Sequence, residues 1–553
     1  MRSYGLFIDG EDVDGRGWTY VVKASALLRD PATSFNLKRA LELGEDVEPT
    51  ADVVGRCALA GPEDNQRALE AARRASKKFR LMPLETRCQI IHEFHETLLE
   101  RSDELIELMV AEGHPRLLSQ WEVSGLVRSS DRETVAWYAS QLAQHFDESN
   151  GGRLDLIRKP DGVVCVNPPQ NAAGSNSSLG MLAVLAGNAV VVKAPRTTPL
   201  SVMFLYRDLL APIVERHGGP PGTINLVSGG TKEILRCWLD SPLVDDILFF
   251  GDSDTGIEFG EDCIKAGKKP ILELSGNDGF VVWHDADLEA AARALEECFF
   301  GSSQICMVPK YAIVHPEVAS EFFELFLERV ARLQPGYPED PGVLLSPVLK
   351  VDRFYDFLSE AQSAGAEVLC GGERVDVEGE PSPMGLFFQP TVIRVEGLER
   401  ARDLSCVREE TFFPMMPVVV PDHAPDEQLL DDVIDFLNDN QYGLRNSVWT
   451  GDDETARRFA VAVVNGGLLK INDSHIGFHS YLSTHGGTGR TGGPYGELNY
   501  VGLRTTHMQG ICWGDGDPQP LARELAGEAP EVVTTPVSAN GSQNGSVPAL
   551  ARS

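Results

Sequence analysis

Two residues between Lys269 and Pro309 carry groups suited to paired chemistry, the carboxylate of Glu273 and the thiol of Cys306. A cysteine reacts as its thiolate, and a carboxylate within reach can take a proton from water or from a reacting group. Glu273 closes a short apolar run, Pro270 to Glu273, that reads as a strand entering the turn cluster Ser275-Gly276-Asn277-Asp278-Gly279. A carboxylate at such a junction can face a cleft. Cys306 follows the small, polar loop Gly301-Ser302-Ser303-Gln304-Ile305, where a substrate can reach it and where a nearby helix N-terminus would favour the thiolate. Taken alone, each residue also has a plain structural reading: a buried apolar cysteine, and a solvated or capping glutamate.

The elements around them read as strand, turn, strand and helix. Phe280 to Trp283 forms a second strand, and apolar residues at helical spacing predict a helix over Asp287 to Phe299. This stretch resembles the signature region of the aldehyde dehydrogenase superfamily, in which L-E-L-G-G carries a general base and F-F-x-x-x-Q-x-C carries a nucleophile. Leu272-Glu273-Leu274-Ser275-Gly276 and Phe299-Phe300-Gly301-Ser302-Ser303-Gln304-Ile305-Cys306 match in order, with Ser275 and Ser303 standing where the family usually has glycine.

Upstream, Val163 to Val166, Ala189 to Val192, Thr223 to Val227 and Asp246 to Phe250 are short β-rich runs. Helical patterns at Leu179 to Leu185, Leu200 to Arg216, Lys232 to Leu239 and Thr255 to Ala266 separate them. That alternation predicts a parallel, Rossmann-like sheet, which binds nucleotides at its strand C-termini. No GxGxxG follows the first strand, so the cofactor residues come from the resemblance. Leu185-Ala186-Gly187-Asn188-Ala189-Val190-Val191-Val192-Lys193 resembles the family's A-G-N-x-V-V-x-K, placing Lys193 by the adenosine ribose. Phe249-Phe250-Gly251-Asp252-Ser253-Asp254-Thr255-Gly256 resembles F-T-G-S-x-x-x-G. The resemblance therefore puts Gly229, Gly251, Asp252 and Gly256 along the cofactor.

Two departures bear on the cofactor. Arg196 occupies the position where NAD-preferring relatives carry an acidic residue, and its guanidinium suits a 2′-phosphate, which favours NADP over NAD. Asp252 replaces a serine, and a carboxylate there is expected to repel the pyrophosphate. A third departure concerns the oxyanion donor, an asparagine in the family's P-W-N. Counting back from Lys193 puts Gln170 there, and a one-residue shift puts Asn171. Cys406-Val407-Arg408-Glu409-Glu410-Thr411-Phe412-Phe413-Pro414 resembles E-E-x-F-G-P, which implies that Glu410 holds the nicotinamide ribose with Phe412 packing nearby and Phe413 in place of glycine. His485 stands in the family's P-F-G-G and is expected at the substrate mouth.

The implied fold is α/β: a Rossmann-like cofactor domain over 1–148 and 162–274, an α/β catalytic domain over 275–478, and a small β oligomerisation arm from 149–161 and 479–513. Residues 514–553, rich in Gly, Pro, Ser and Asn, read as a disordered tail. Tyr4 to Val13 reads as a hairpin about Asp9-Gly10, and the charged, helix-forming segment 22–50 carries no readable motif. His92 and His95, one turn apart, lack a third ligand, so no metal is expected.

The implied reaction is NAD(P)-dependent oxidation of an aldehyde to a carboxylic acid through a cysteine thiohemiacetal and thioester, with Glu273 activating the hydrolytic water. Relatives that pass the acyl group to coenzyme A usually lack that glutamate. An acyl-transferring or thioester-reducing relative, and a non-enzymatic protein on the same fold, are the alternatives. A serine hydrolase is disfavoured by the absence of G-x-S-x-G. Net charge −33 (49 basic against 82 acidic residues) argues against nonspecific nucleic-acid or anionic-membrane binding. The N-terminus lacks a signal pattern, and ten cysteines without metal spacing point to a reducing cytoplasm. The resemblance implies a homodimer or homotetramer.

Overall fold

The computed structural model describes residues 1–147 and 152–514, together with Leu525 and Gly527. Five parallel strands form most of the first sheet, in the order Lys269–Glu273, Asp246–Phe250, Val163–Asn167, Ala189–Ala194 and Ile224–Ser228. The hairpin Leu6–Ile8 and Glu11–Val13 extends it antiparallel, turning at Asp9 and Gly10, both at positive φ. The parallel strands read as unbroken apolar runs because both faces are covered. Val164, Val166, Val190 and Val192 enter one core, whereas Val163, Cys165, Ala189 and Val191 enter the opposite one, the two-residue alternation of a strand. The expected helices flank these strands at Leu179–Ala186, Thr231–Asp240 and Ser253–Lys265. Between Leu200 and Arg216 the helix passes through a π-helical stretch, Phe204–Leu210.

A second seven-stranded sheet runs Glu367–Cys370, Thr391–Glu396, Met415–Val420, Pro309–Val314, Asp278–Val282, Arg445–Trp449, Leu468–Ile471, all parallel except the first. The two strands that flank the 275–279 turn therefore belong to different sheets. Glu273 ends an edge strand of one, and Asp278 begins an inner strand of the other. The turn is thus the crossing between the two halves of the molecule.

The helix expected over 287–299 is shorter, Leu288–Leu295, capped by the Asp287 carboxylate on the Ala290 N–H at 3.0 Å. A 3₁₀ stretch follows and breaks at Phe300. Gly301, Ser302 and Ser303 then take φ values of 58°, 57° and 60°. Left-handed backbone explains the family's glycine at position 303. Here the two serine hydroxyls make compensating bonds, Ser302 to the Ser346 carbonyl at 2.7 Å and Ser303 to that of Cys298 at 2.5 Å.

Segment 22–50 folds as two helices, Ala24–Arg29 and Pro31–Leu43, against the Trp18–Val22 strand. Residues 149–151 of the expected arm lie outside the described residues. The remainder, Arg153–Pro160, is the centre of a three-stranded antiparallel sheet between Ala143–Asp147 and Thr506–Trp513. The tail expected over 514–553 falls outside the described residues except at 514, 525 and 527. Among the described residues no helix is long and apolar enough to cross a membrane.

Candidate active site

Gly276 is the point at which the separate motifs meet. A Cβ added there would lie 2.2 Å from the Cys306 carbonyl oxygen, so only glycine lets the crossing turn and the cysteine loop approach this closely. Its N–H donates to Glu410 Oε1 at 3.0 Å, which draws the Glu410 segment to the same place. Fully buried Lys310 ties the remaining pieces, donating to the carbonyls of Ser303 at 2.6 Å and Thr411 at 2.8 Å. Its ammonium also lies 5.5 Å from the centre of the Phe412 ring.

Cys306 sits in the turn that precedes the Pro309–Val314 strand, and no helix starts there. Burial pushes its thiol up to about 12. The charges of Glu410 and Asp278 act in the same direction, with Lys310 and Arg445 opposing them. The thiol lines a cavity whose apolar wall includes Trp121, Leu126, Leu179, Met307 and Phe478, Trp121 and Phe478 being stacked at 5.0 Å. Asn171 lines the same cavity, its Nδ2 donating to the Gln304 carbonyl at 2.8 Å in the cysteine loop. Gln170 does not. It is exposed, and among the described residues only its carbonyl is engaged, by Thr198 at 3.3 Å. Of the two candidates for the oxyanion donor, Asn171 is the one that lines the cavity.

Glu273 is buried at its strand end and does not line that cavity. Its Oε2 accepts the Gly486 N–H at 2.7 Å and its Oε1 accepts the Asn499 amide at 3.0 Å. Burial lifts the carboxyl to about 8 against these two donors. His485, adjacent to Gly486, does line the cavity, so the carboxylate lies one residue behind its wall. The imidazole is neutral, pushed down to about 3 by burial, with Nδ1 2.7 Å from the Thr484 hydroxyl. Phe413, which stands in place of the family's glycine, packs edge-on against Phe354 and Phe357 in the core.

Lys193 ends the Ala189–Ala194 strand, buried, with no hydrogen-bond partner for its ammonium among the described residues. Burial lowers it to about 8. An unpartnered cation at the carboxyl edge of a parallel sheet fits a nucleotide, since the sheet's own loops leave its donors free for a ligand. Arg196 is half-exposed three residues further on. Gly229 and Gly251 follow the Ile224–Ser228 and Asp246–Phe250 strands, at the same carboxyl edge.

Two of the expected cofactor residues have other tasks. Asp252 caps Ser253–Lys265, its carboxylate accepting the Thr255 N–H at 3.0 Å. Burial is the largest single influence and opposes its ionisation, but the Thr255 N–H and hydroxyl, its own N–H and the Lys350 charge together hold the carboxyl below the usual range. Its charge is therefore turned onto the helix end. Gly256 lies inside that helix, where a Cβ would meet Leu274 Cδ2 at 2.1 Å, so it serves close packing of helix on strand.

Sequence reasoning missed Asn499 and Glu122. Asn499 lies in a segment with no periodic signal. Glu122, 2% exposed, lines the cavity, accepts the Ser175 hydroxyl at 2.6 Å and lies 3.3 Å from His114 Nδ1. The signal was present: it falls midway between Leu118 and Leu126 on the buried stripe of the Arg116–Ser130 helix.

Fold and site together fit an α/β oxidoreductase with a dinucleotide-type sheet. The chain belongs to the aldehyde dehydrogenase family, whose model matches residues 39–507. It is an enzyme of that class, an NAD(P)-dependent oxidoreductase acting on an aldehyde. It is 29% identical to succinate-semialdehyde dehydrogenase [NADP(+)] of Escherichia coli (strain K12), over 83% of this chain and 94% of that one. It is 30% identical to benzaldehyde dehydrogenase [NAD(+)] of Pseudomonas putida, over 81% and 89%. The solved structure of 3,6-anhydro-L-galactose dehydrogenase in complex with NAP superposes with a TM-score of 0.74 at 23% identity, covering 93% of this chain and all of that one.

Proposed function

We propose that the protein oxidises an aldehyde irreversibly to its carboxylic acid, with Cys306 as nucleophile, Asn171 as oxyanion donor, Glu273 as general base and NADP as the preferred cofactor. The observation that carries this reading is the convergence on Gly276 of the Glu273 strand end, the Cys306 loop and the Glu410 segment. Three distant stretches meet where the reaction needs a base, a nucleophile and a cofactor anchor.

The Cys306 thiol gives its proton to solvent in the cavity as its sulfur adds to the carbonyl carbon of an aldehyde seated there. The oxygen anion that forms accepts the second hydrogen of the Asn171 amide, the first being held by Gln304, together with the Cys306 N–H. A nicotinamide cofactor, when bound, would supply the acceptor for the hydride whose loss leaves the thioester on Cys306. Lys193 and Arg196 would hold its adenosine end, with Glu410 and Phe412 at the other. Glu273 then takes a proton from the water that attacks the thioester. Each of its oxygens accepts one hydrogen bond and keeps lone pairs for that water.

The apolar wall suits an aldehyde with an aromatic or aliphatic body. Among the described residues the three-stranded sheet presents two unpaired edges with Phe146, Met508 and Trp513 exposed, which supports its use as an oligomerisation arm in a homodimer or homotetramer. Ten unpaired cysteines support a reducing, cytoplasmic setting. The test is reduced-cofactor formation with a panel of aldehydes, NAD and NADP separately, beside Cys306→Ala. Turnover that is independent of coenzyme A and lost in the variant is expected. A requirement for coenzyme A, or full activity in the variant, would overturn the reading.

A further inference from the structure

Segment 22–50, which carries no motif, places one helix beside Arg196. Leu37 and Leu41 of Pro31–Leu43 pack on the Trp18–Val22 strand, which fixes the neighbouring Lys38 and Glu42 in space. Glu42 Oε1 accepts the Thr19 hydroxyl at 2.9 Å and the Tyr20 N–H at 3.3 Å. The same buried hydroxyl lies 3.2 Å from the Arg196 carbonyl oxygen, so one side chain joins strand, helix and the loop after Lys193. Glu42 Oε2 is 4.0 Å from the Arg196 guanidinium, and Lys38 Nζ is 3.9 Å from Oε1. Two cations therefore flank a single carboxylate.

The balance of charge decides what this cluster can bind. Arg196 and Glu42 offset each other, so Arg196 without Lys38 would offer a phosphate little net attraction. With Lys38 the group comprises two cations and one carboxylate. That net +1 leaves one cation's charge uncompensated, which favours a phosphate monoester carrying about −1.5 to −2 at neutral pH. Glu42 is already engaged by Thr19 and Tyr20, which suits an anchor for the cations better than a free acceptor for ribose hydroxyls. Burial holds Lys38 below its usual range, with Glu42 opposing and the Arg196 charge adding to it.

We propose that the 31–43 helix is part of the cofactor site, and that Lys38, with Arg196 steadied by Glu42, forms the pocket for the ribose 2′-phosphate of NADP. This rests on the dehydrogenase reading above. The test is calorimetric titration of the full-length protein with adenosine 2′,5′-bisphosphate and with 5′-AMP, which needs no turnover. Loss of one partly buried cation should cost about tenfold. Lys38→Ala should therefore weaken the bisphosphate about tenfold more than it weakens 5′-AMP, and Lys38→Arg should restore most of that difference. Equal loss for both nucleotides, or no recovery with arginine, would show a packing effect and overturn the proposal. A wild type that does not discriminate the two nucleotides would also overturn it, and Cys306-dependent aldehyde oxidation with NAD would leave the dehydrogenase reading standing. Failure to bind either nucleotide, with no turnover, would remove that reading itself.

Discussion

Replacing Glu273 by glutamine should make the protein's stability less sensitive to alkali. The carboxyl is raised from its ordinary 4.5 to about 8 because burial disfavours the anion more than the Gly486 and Asn499 bonds favour it. The native state therefore holds a proton that the unfolded chain releases, and stability is lost as pH climbs from 4.5 through 8. At 1.36 kcal/mol per unit, the cost is about 2 kcal/mol at pH 6 and levels off near 5 kcal/mol above pH 8. Glutamine has no such proton. Whatever the amide gains or loses in packing is the same at both pH values and cancels in the comparison. The stability difference between Glu273→Gln and wild type should accordingly shift by about 2 to 3 kcal/mol in the variant's favour between pH 6 and pH 9. With unfolding entropy near 2.1 cal/mol/K per residue, that is about 2 °C if the whole chain unfolds as one unit, and more if a single domain does. The assay is paired thermal unfolding of the two proteins at both pH values and one scan rate. A melting-temperature difference that stays constant from pH 6 to pH 9 would refute the assigned burial of the charge.

Turnover should rise with pH through about 8, because Glu273 acts as a base only when ionised, and a profile flat from pH 6 to 9 would exclude it from the slow step. Asn499→Ala removes a bond that favours the Glu273 anion, so the rise should move to higher pH, as read from the same profile. Asn171→Ala should lower kcat by about 10² to 10³, the usual loss of one oxyanion donor, whereas Gln170→Ala should stay near wild type. Gly276→Ala should abolish turnover and lower the melting temperature, since its methyl group meets the Cys306 carbonyl backbone, and a fully active variant would show that the two loops separate freely.

The parallel strands were readable because each is buried on both faces and each lies between helices of ordinary length. Apolar runs such as Val163 to Val166 and Ala189 to Val192 leave little choice of conformation. The Cys306, Glu273 and Glu410 motifs were readable because their residue types keep a fixed local order. Lys193 was placed at its strand end for the same reason.

Other features depend on which surfaces meet. Gly256 resembles a cofactor glycine in one dimension, but Leu274 lies against it in three. Asp252 looked repulsive until its helix gave it an N–H to cap. Phe413 went into the core, and the choice between Gln170 and Asn171 turned on which side chain faced the cysteine loop. Segment 22–50 is the strongest case, because Lys38 and Glu42 meet Arg196 only when Thr19 brings it beside them. Sequence by itself determined the local conformations and the order of reactive groups, since those follow from neighbours along the chain. Burial, proton affinity and partnership were decided by tertiary structure, because desolvation and charge pairing depend on atoms that are distant in sequence and adjacent only after folding.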